Sequence, residues 1–336
     1  MYIGSINNKN CTTSTSAVNN SVLITGASGS GKTCRMQEIE LKAAQSEAMV
    51  IVLDTSYSHV SDQIYTPIRT EYEKSANRLS VLDYGINLHL FDKFSSSDAN
   101  QTKQINYITQ IIASSAKLKS RQIQILRKAI ASAYARYTEG MNEFQLIGES
   151  LESLGTDGEN LYDNLWHLFQ SEILQNANYT LEKGKINIID LNDINNITQK
   201  IMIELILRNL WNTKGNDDAN TEYIICLDEC QNLYLGQDSI ICQLLREGRK
   251  FHISLLLATQ SLIPFSTGLR SMLEQTGTKL YFRPSQTDLR NIAQSIKKAY
   301  GTELQQCLAQ LKIGESLVIG DIQINDKSIQ RPIVLK

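Results

Sequence analysis

Short, unbroken apolar runs punctuate this chain: Val22-Leu23-Ile24, AMVIVLD at 48–54, INIID at 186–190, YIICLDE at 223–229 and Ile253–Leu257. Runs of this length without polar alternation suit strands buried on both faces, which is the condition of a parallel sheet covered by helices. A shorter run at Leu79–Leu82 predicts a third strand, and LVIG and RPIVLK near the end predict closing strands. Helical spacing follows the first strand at LKAAQ, recurs from about Ile197 to Trp211, and returns before Ile253. From about Ser97 to Glu182 the pattern changes: prolines are absent, strand-like runs stop, and apolar residues recur at helical intervals in QINYITQIIASSAKL, IQILRKAIASAYARY and NLYDNLWHLFQSEIL. The fold class expected is α/β, a mainly parallel sheet flanked by helices with an inserted all-α subdomain. Its parts are a polar arm at 1–20, a first core segment at 21–96, the insertion at 97–184 and a second core segment at 185–336.

The first strand runs into Gly26-Ala27-Ser28-Gly29-Ser30-Gly31-Lys32-Thr33-Cys34, which carries the P-loop pattern G-x4-G-K-T. Glycine permits the dihedrals that turn successive N–H groups inward around a phosphate chain, and a following helix directs its positive end at the anion. These nine residues are the expected ATP cradle, with Lys32 on the β/γ-phosphates and the Thr33 hydroxyl on Mg2+. A glycine-rich turn that binds nothing is the plain alternative, but the strand before and the helix after are the context the motif requires. Asp54 ends its strand at the same sheet edge, where it serves either the site or the following turn.

The run at 223–229 ends in Asp228-Glu229, a Walker B form. Asp228 is expected to hold Mg2+ and Glu229 to orient and deprotonate the attacking water. Two acids after an apolar strand mean little alone. Paired with a P-loop about 200 residues earlier they mean more, because phosphoryl transfer needs both an anion cradle and a carboxylate pair. The last internal strand closes with Ala258-Thr259-Gln260, which delivers Gln260 to that edge as a sensor of the γ-phosphate and water. Before it, a helix carries Arg246, Arg249 and Lys250 at its end, explained either by the helix dipole or by a guanidinium reaching a neighbour's phosphate.

Composition is that of a globular protein, 42% hydrophobic and 20% charged, with a net charge of -2. Any basic surface must therefore be local. One candidate lies in the insertion, where Ala99–Thr138 holds seven Lys and Arg and no acid, whereas Glu139–Glu172 holds eight acids and no Lys or Arg. The halves either neutralise each other or leave a basic face for a polyanion. Tyr107, Tyr134, Tyr137, Trp166 and Phe169 fall at helical spacing and are expected in the core rather than stacked on bases. Six scattered cysteines and four histidines suggest neither a disulfide framework nor a zinc site. No signal peptide or membrane-spanning run is evident, and the expected setting is the reducing cytoplasm without direct membrane insertion.

The P-loop, the LDE strand and REGRKFHISLLLATQ together resemble the HerA/FtsK branch of RecA-like P-loop ATPases, which includes DNA translocases and helicases, conjugative coupling proteins and type IV secretion ATPases. The resemblance runs through IIDLND at 188–193 and the closing strands, over residues 21–336. It implies a RecA-like core and an ATPase that uses Mg2+, with Gln260 as the third-motif sensor. It also implies an arginine finger at Arg249, with Arg246 as second choice, acting on the ATP of an adjacent subunit in a homohexameric ring. DNA passing through a central channel is the implied substrate, and an accessory protein partner the implied source of specificity. The alternative implied is an ATPase subunit of a secretion or defence complex acting on protein. The β-barrel of HerA helicases, the membrane segments of coupling proteins and the winged helix of FtsK are not evident, so a bare motor is expected.

Overall fold

The computed structural model describes residues 1–7, 9–14, 19–86, 88, 90–91, 98–169, 180–213, 221–236, 239–300, 303–325, 327–329 and 331–336. In chain order the elements are β1 (Tyr2–Ile6), β2 (Lys9–Thr13), β3 (Val22–Thr25), α1 (Lys32–Gln45), β4 (Met49–Asp54), α2 (Arg69–Ser75), β5 (Ala76–Ser80), α3 (Val81–Tyr84), α4 (Asp98–Ser115), α5 (Ser120–Arg136), α6 (Glu143–Glu152) and α7 (Thr156–Phe169). They continue with β6 (Ile186–Asp190), α8 (Asn196–Thr213), β7 (Tyr223–Leu227), α9 (Ile240–Glu247), β8 (Ile253–Thr259), α10 (Thr267–Leu273), β9 (Thr278–Phe282), α11 (Gln286–Tyr300), α12 (Glu303–Gln310), β10 (Ser316–Gly320), β11 (Ile322–Ile324), β12 (Lys327–Ile329) and β13 (Ile333–Leu335). The chain divides into two compact units, one of residues 1–79, 180–192 and 216–336, the other of residues 80–179 and 193–215.

The first unit is built on a nine-stranded sheet in the order β13-β10-β9-β3-β8-β7-β4-β6-β5. Neighbours from β9 through β6 pair in parallel, and β10 joins β9 and β13 antiparallel. All six residues of β4 and all seven of β8 are buried, as expected of strands covered on both faces. On one face Val22, Ile24, Val50, Val52, Ile224, Leu256 and Ala258 pack with Met36 and Ile39 of α1 in a single core. Each such large side chain contributes about 1.5–3 kcal/mol by leaving water. The parallel register puts the C-terminal ends of β3, β8, β7 and β4 along one rim. Thr25 pairs with Thr259, Leu227 with Leu257, and Val52 with Cys226.

Two expectations are corrected in this unit. The first 20 residues, expected as a polar arm, instead contain β1 and β2, which pair antiparallel and join β11 and β12 in a four-stranded sheet. The polar sequence KNCTT hides a strand whose alternate residues Cys11 and Thr13 turn into the core. Gly4, at φ 145, lets β1 lie against Arg35 of α1, where a Cβ would collide with the guanidinium. The strand expected at Leu79–Leu82 lies instead at 76–80, because the Ser80 hydroxyl accepts from the Asp83 N–H and starts α3. Asn77 fixes that strand by donating to the Asn187 side chain on β6 at 2.9 Å.

The second unit is helical. α5 packs on α6, α6 on α7 and α4 on both α5 and α8, and at Gly148 an added Cβ would press on Tyr162 and Phe169. α8, placed by sequence in the second core segment, groups with this unit. Its Arg208 lies 4.4 Å over the Tyr107 ring of α4, and its Asn209 donates to the Leu88 carbonyl at 2.7 Å. Phe169 stacks on Tyr162 and is core as expected; Tyr134 and Tyr137 meet the buried Phe91 edge-on but are themselves half-buried, and Trp166 is exposed. The basic and acidic halves neutralise each other only in part. Arg121 pairs with Asp157 and Arg136 with Glu149, whereas Lys103, Lys117, Lys119, Arg127 and Lys128 are exposed and pair with no described carboxylate. Among the described residues no helix is long and apolar enough to cross a membrane.

Candidate nucleotide site

The loop between β3 and α1 is shaped by its glycines. Gly29 and Gly31 hold φ of 70 and 105, values that L side chains rarely adopt, and a Cβ on Gly26 would stand 2.6 Å from that of Phe282. The C-terminal segments brace the loop: the Ala27 N–H donates to the Arg283 carbonyl at 2.9 Å and the Gly314 N–H to the Ser30 carbonyl at 2.9 Å. α1 has Gly31 at its N-cap, no side-chain cap and no acid in its first turn. Its first amides are thus available to an anion. The Ser30 hydroxyl is buried with no hydrogen-bond partner among the described residues, a polar atom that a phosphate oxygen would satisfy.

Lys32 is 5% exposed and its Nζ donates to the Ala27 carbonyl across the loop at 3.1 Å. Burial lowers its pKa, opposed by the charges of Glu229 and Asp228. Thr33 Oγ1 donates to Asp228 Oδ2 at 3.1 Å, although 195 residues separate the two. Burial raises the Asp228 pKa; the Glu229 N–H bond and the positive charge of His59 counter it, and the Glu229 carboxylate adds to it. A hydroxyl and a carboxylate, both hard oxygen donors side by side, suit Mg2+, which takes few protein oxygens and completes its shell with water and phosphate. The donor set therefore fits that ion.

Glu229 follows β7 in a left-handed conformation, φ 50 and ψ 43. Gln260 Nε2 donates to Glu229 Oε1 at 2.6 Å, and Gln231 Nε2 to the other oxygen, Oε2. Gln231 was not singled out by sequence: it lies in a short 3-10 turn, Cys230–Asn232, where periodicity carries no signal. Asp54 does not join this group. Its carboxylate accepts from the N–H groups of Ser56, Ser58 and His59, so it organises the turn after β4.

Behind the rim lies a buried ion cluster. His59 Nε2 stands 3.1 Å from both Glu40 oxygens, Nδ1 is 2.9 Å from Ser58 Oγ and 3.9 Å from Asp54, and Tyr72 Oη donates to Glu40 at 2.6 Å. Burial disfavours the imidazolium, but the Glu40 charge, reinforced by Asp54, prevails and lifts the His59 pKa to about 10. Asp54, desolvated yet bonded to His59 and to backbone N–H groups, falls to about 2.

Arg246 and Arg249 stand apart from these groups. Both are exposed at the end of α9 and the turn Gly248–Phe251, which enters β8 at its N-terminal end. Seven residues of strand, about 23 Å at roughly 3.3 Å each, separate them from Gln260 at the other end. Neither guanidinium can reach the P-loop of its own chain.

The family model for the central domain of helicase HerA matches residues 1–210. The chain belongs to that family. With it the chain takes its place in the HerA/FtsK-type P-loop ATPase superfamily, and solved structures share the fold. VirB4 of Thermoanaerobacter pseudethanolicus is 14% identical, with a TM-score of 0.71 over 95% of this chain and 89% of that one. The unbound monoclinic form of the bacterial conjugative coupling protein TrwB is 11% identical, with a TM-score of 0.62 over 94% and 84%. Plasmid coupling protein TrwB in complex with ADP and Mg2+ is 11% identical, with a TM-score of 0.61 over 94% and 85%. No curated protein matches the chain. The HerA match includes β1 and β2, the segment in which sequence analysis found no β structure.

Proposed function

We propose that this HerA-family chain is the subunit of an ATP-hydrolysing homohexameric ring that translocates duplex DNA. The observation that carries the ATPase reading is the meeting of Lys32, Thr33, Asp228, Glu229 and Gln260 at one rim of the parallel sheet. Backbone N–H groups of Gly26–Cys34 and the Lys32 ammonium hold the ATP phosphates, and Thr33 and Asp228 hold Mg2+. When bound, Mg2+ supplies a Lewis acid that neutralises charge on the phosphates. Glu229 orients the attacking water and accepts its proton, while Gln260 senses the γ-phosphate. Coupling protein TrwB bound to ADP and Mg2+, with the same fold, supports this assignment.

The placement of Arg249 at the far end of β8 supports a ring, because a finger unable to reach its own site must serve a neighbour's. Arg249→Ala is expected to bind ATP with unchanged affinity while turnover falls about 10³-fold or more. A wild-type rate in equilibrium-binding and phosphate-release assays would remove Arg249 from the role and leave Arg246.

DNA as the track draws support from the five exposed cations on α4, α5 and the turn between them that pair with no carboxylate among the described residues. Lys119→Glu with Lys128→Glu is expected to weaken DNA-stimulated ATPase and flatten its salt dependence while leaving basal hydrolysis intact. Identical salt profiles for variant and wild type would take this face out of DNA contact. A protein-directed ATPase of a secretion or defence complex is the second reading, favoured by the neutralisation of Arg121 and Arg136 within the helical unit. Its signature is hydrolysis switched on by a protein partner and indifferent to DNA.

A further inference from the structure

Glu229 is held by two glutamines that differ in how they are themselves held. Gln260 is exposed and its amide reaches one oxygen from the end of β8. Gln231 is half-buried, and its amide oxygen accepts from Thr259 Oγ1 at 2.6 Å, a hydroxyl on a residue with no exposed surface. A carboxylate only accepts, so the Gln231 nitrogen faces Glu229, and its oxygen then faces Thr259. The one proton of the Thr259 hydroxyl has two acceptors in reach, the Gln231 amide oxygen at 2.6 Å and the Ser261 carbonyl at 2.9 Å, and the shorter contact is the one to Gln231. The backbone of Glu229, left-handed in a residue with a Cβ, is a conformation that persists only where its surroundings enforce it.

Resting on the ATPase reading above, we propose that Gln231 is a positioning residue that keeps the Glu229 carboxylate aimed throughout the nucleotide cycle, anchored on β8 through Thr259. Gln260 is the partner that exchanges, leaving Glu229 for the γ-phosphate. Either amide occupies one lone pair on its oxygen, so Glu229 retains capacity to accept from water. The Thr259 link also makes the sensor strand and the Walker B carboxylate move as one body, because Thr259, the last residue of β8, holds Gln231 and the next residue, Gln260, senses the nucleotide.

The test measures steady-state ATP hydrolysis and binding of a non-hydrolysable ATP analogue by the full chain. Gln231→Leu is expected to lower kcat about 10- to 100-fold, the scale of a misaimed catalytic group, with KM, analogue affinity and Tm near wild type. Thr259→Val should do the same, Thr259→Ser, which keeps the hydroxyl, should recover most of the loss, and the double variant Gln231→Leu/Thr259→Val should be no slower than the worse single one. Multiplying losses in the double variant, Thr259→Ser as slow as Thr259→Val, or a raised KM at unchanged kcat would each overturn the proposal. Because the Thr259 hydroxyl also bonds Ser261, the Thr259 variants test the link only beside a Gln231 variant; should Gln231→Leu fail to fold, Gln231→Met, of similar length without the amide, takes its place. Absence of hydrolysis by wild type sinks the ATPase reading, whereas an active wild type with unaffected Gln231 and Thr259 variants sinks this inference only.

Discussion

Glu229→Gln is expected to retain ATP and all but stop hydrolysing it, with turnover down about 10²–10⁴-fold, the usual contribution of a positioned general base. The substitution is isosteric, so the loop, Lys32 and the Thr33–Asp228 oxygen pair keep their geometry and nucleotide affinity is preserved. What is lost is the capacity to accept a proton. The replacement amide also presents a donor to two glutamines that now donate to this position, so one of them must turn its amide around. Retention of labelled ATP on the protein together with phosphate release separates the two effects. Turnover at the wild-type rate would mean that water is activated by another group.

His59→Leu is expected to produce the largest loss of stability, about 3–5 kcal/mol, the scale for removing one partner of a buried ion pair. Glu40 has no exposed surface, and without the imidazolium it keeps the Tyr72 hydroxyl and the buried Cys226 thiol as described partners, neither of them charged. The pH dependence has a defined direction. The folded His59 pKa of about 10 exceeds the ordinary imidazole value of 6.5, so its contribution is complete below about 6.5 and fades as pH rises through 10. Asp54 moves the other way, from 3.8 to about 2, and its contribution is complete above about 4 and lost as pH falls through 2. Wild-type Tm should therefore decline between pH 6.5 and 10 along a limb that His59→Leu lacks. Parallel Tm profiles for the two proteins would show that His59 is neutral in the folded state.

The parts of the site legible in the sequence share a property: each is a contiguous strand with its chemistry at the C-terminal end. VLIT running into the P-loop, YIICL into Asp228-Glu229 and ISLLLAT into Gln260 all deliver their groups to one rim, because parallel strands in register must. Groups whose meaning arises from tertiary pairing were not legible. His59 is recognisable only beside Glu40 and Tyr72 on separate helices, and Gln231 only once Thr259 stands beside it. The β1–β2 hairpin escaped because YIGSI and KNCTT are five-residue strands without an apolar run, and gain their burial from α1 and the closing strands. α8 escaped assignment to the helical unit for a related reason. Its apolar periodicity predicts a helix but not which helix it packs on.

The most direct measurement is phosphate release from Mg-ATP by the wild-type chain, with and without duplex DNA across a salt series, beside Lys32→Ala. The account predicts hydrolysis that DNA stimulates at low salt and that fades as salt rises, absent in Lys32→Ala under every condition. Hydrolysis that ignores DNA at all salt concentrations would contradict the translocase reading, and equal release by wild type and Lys32→Ala would contradict the site itself.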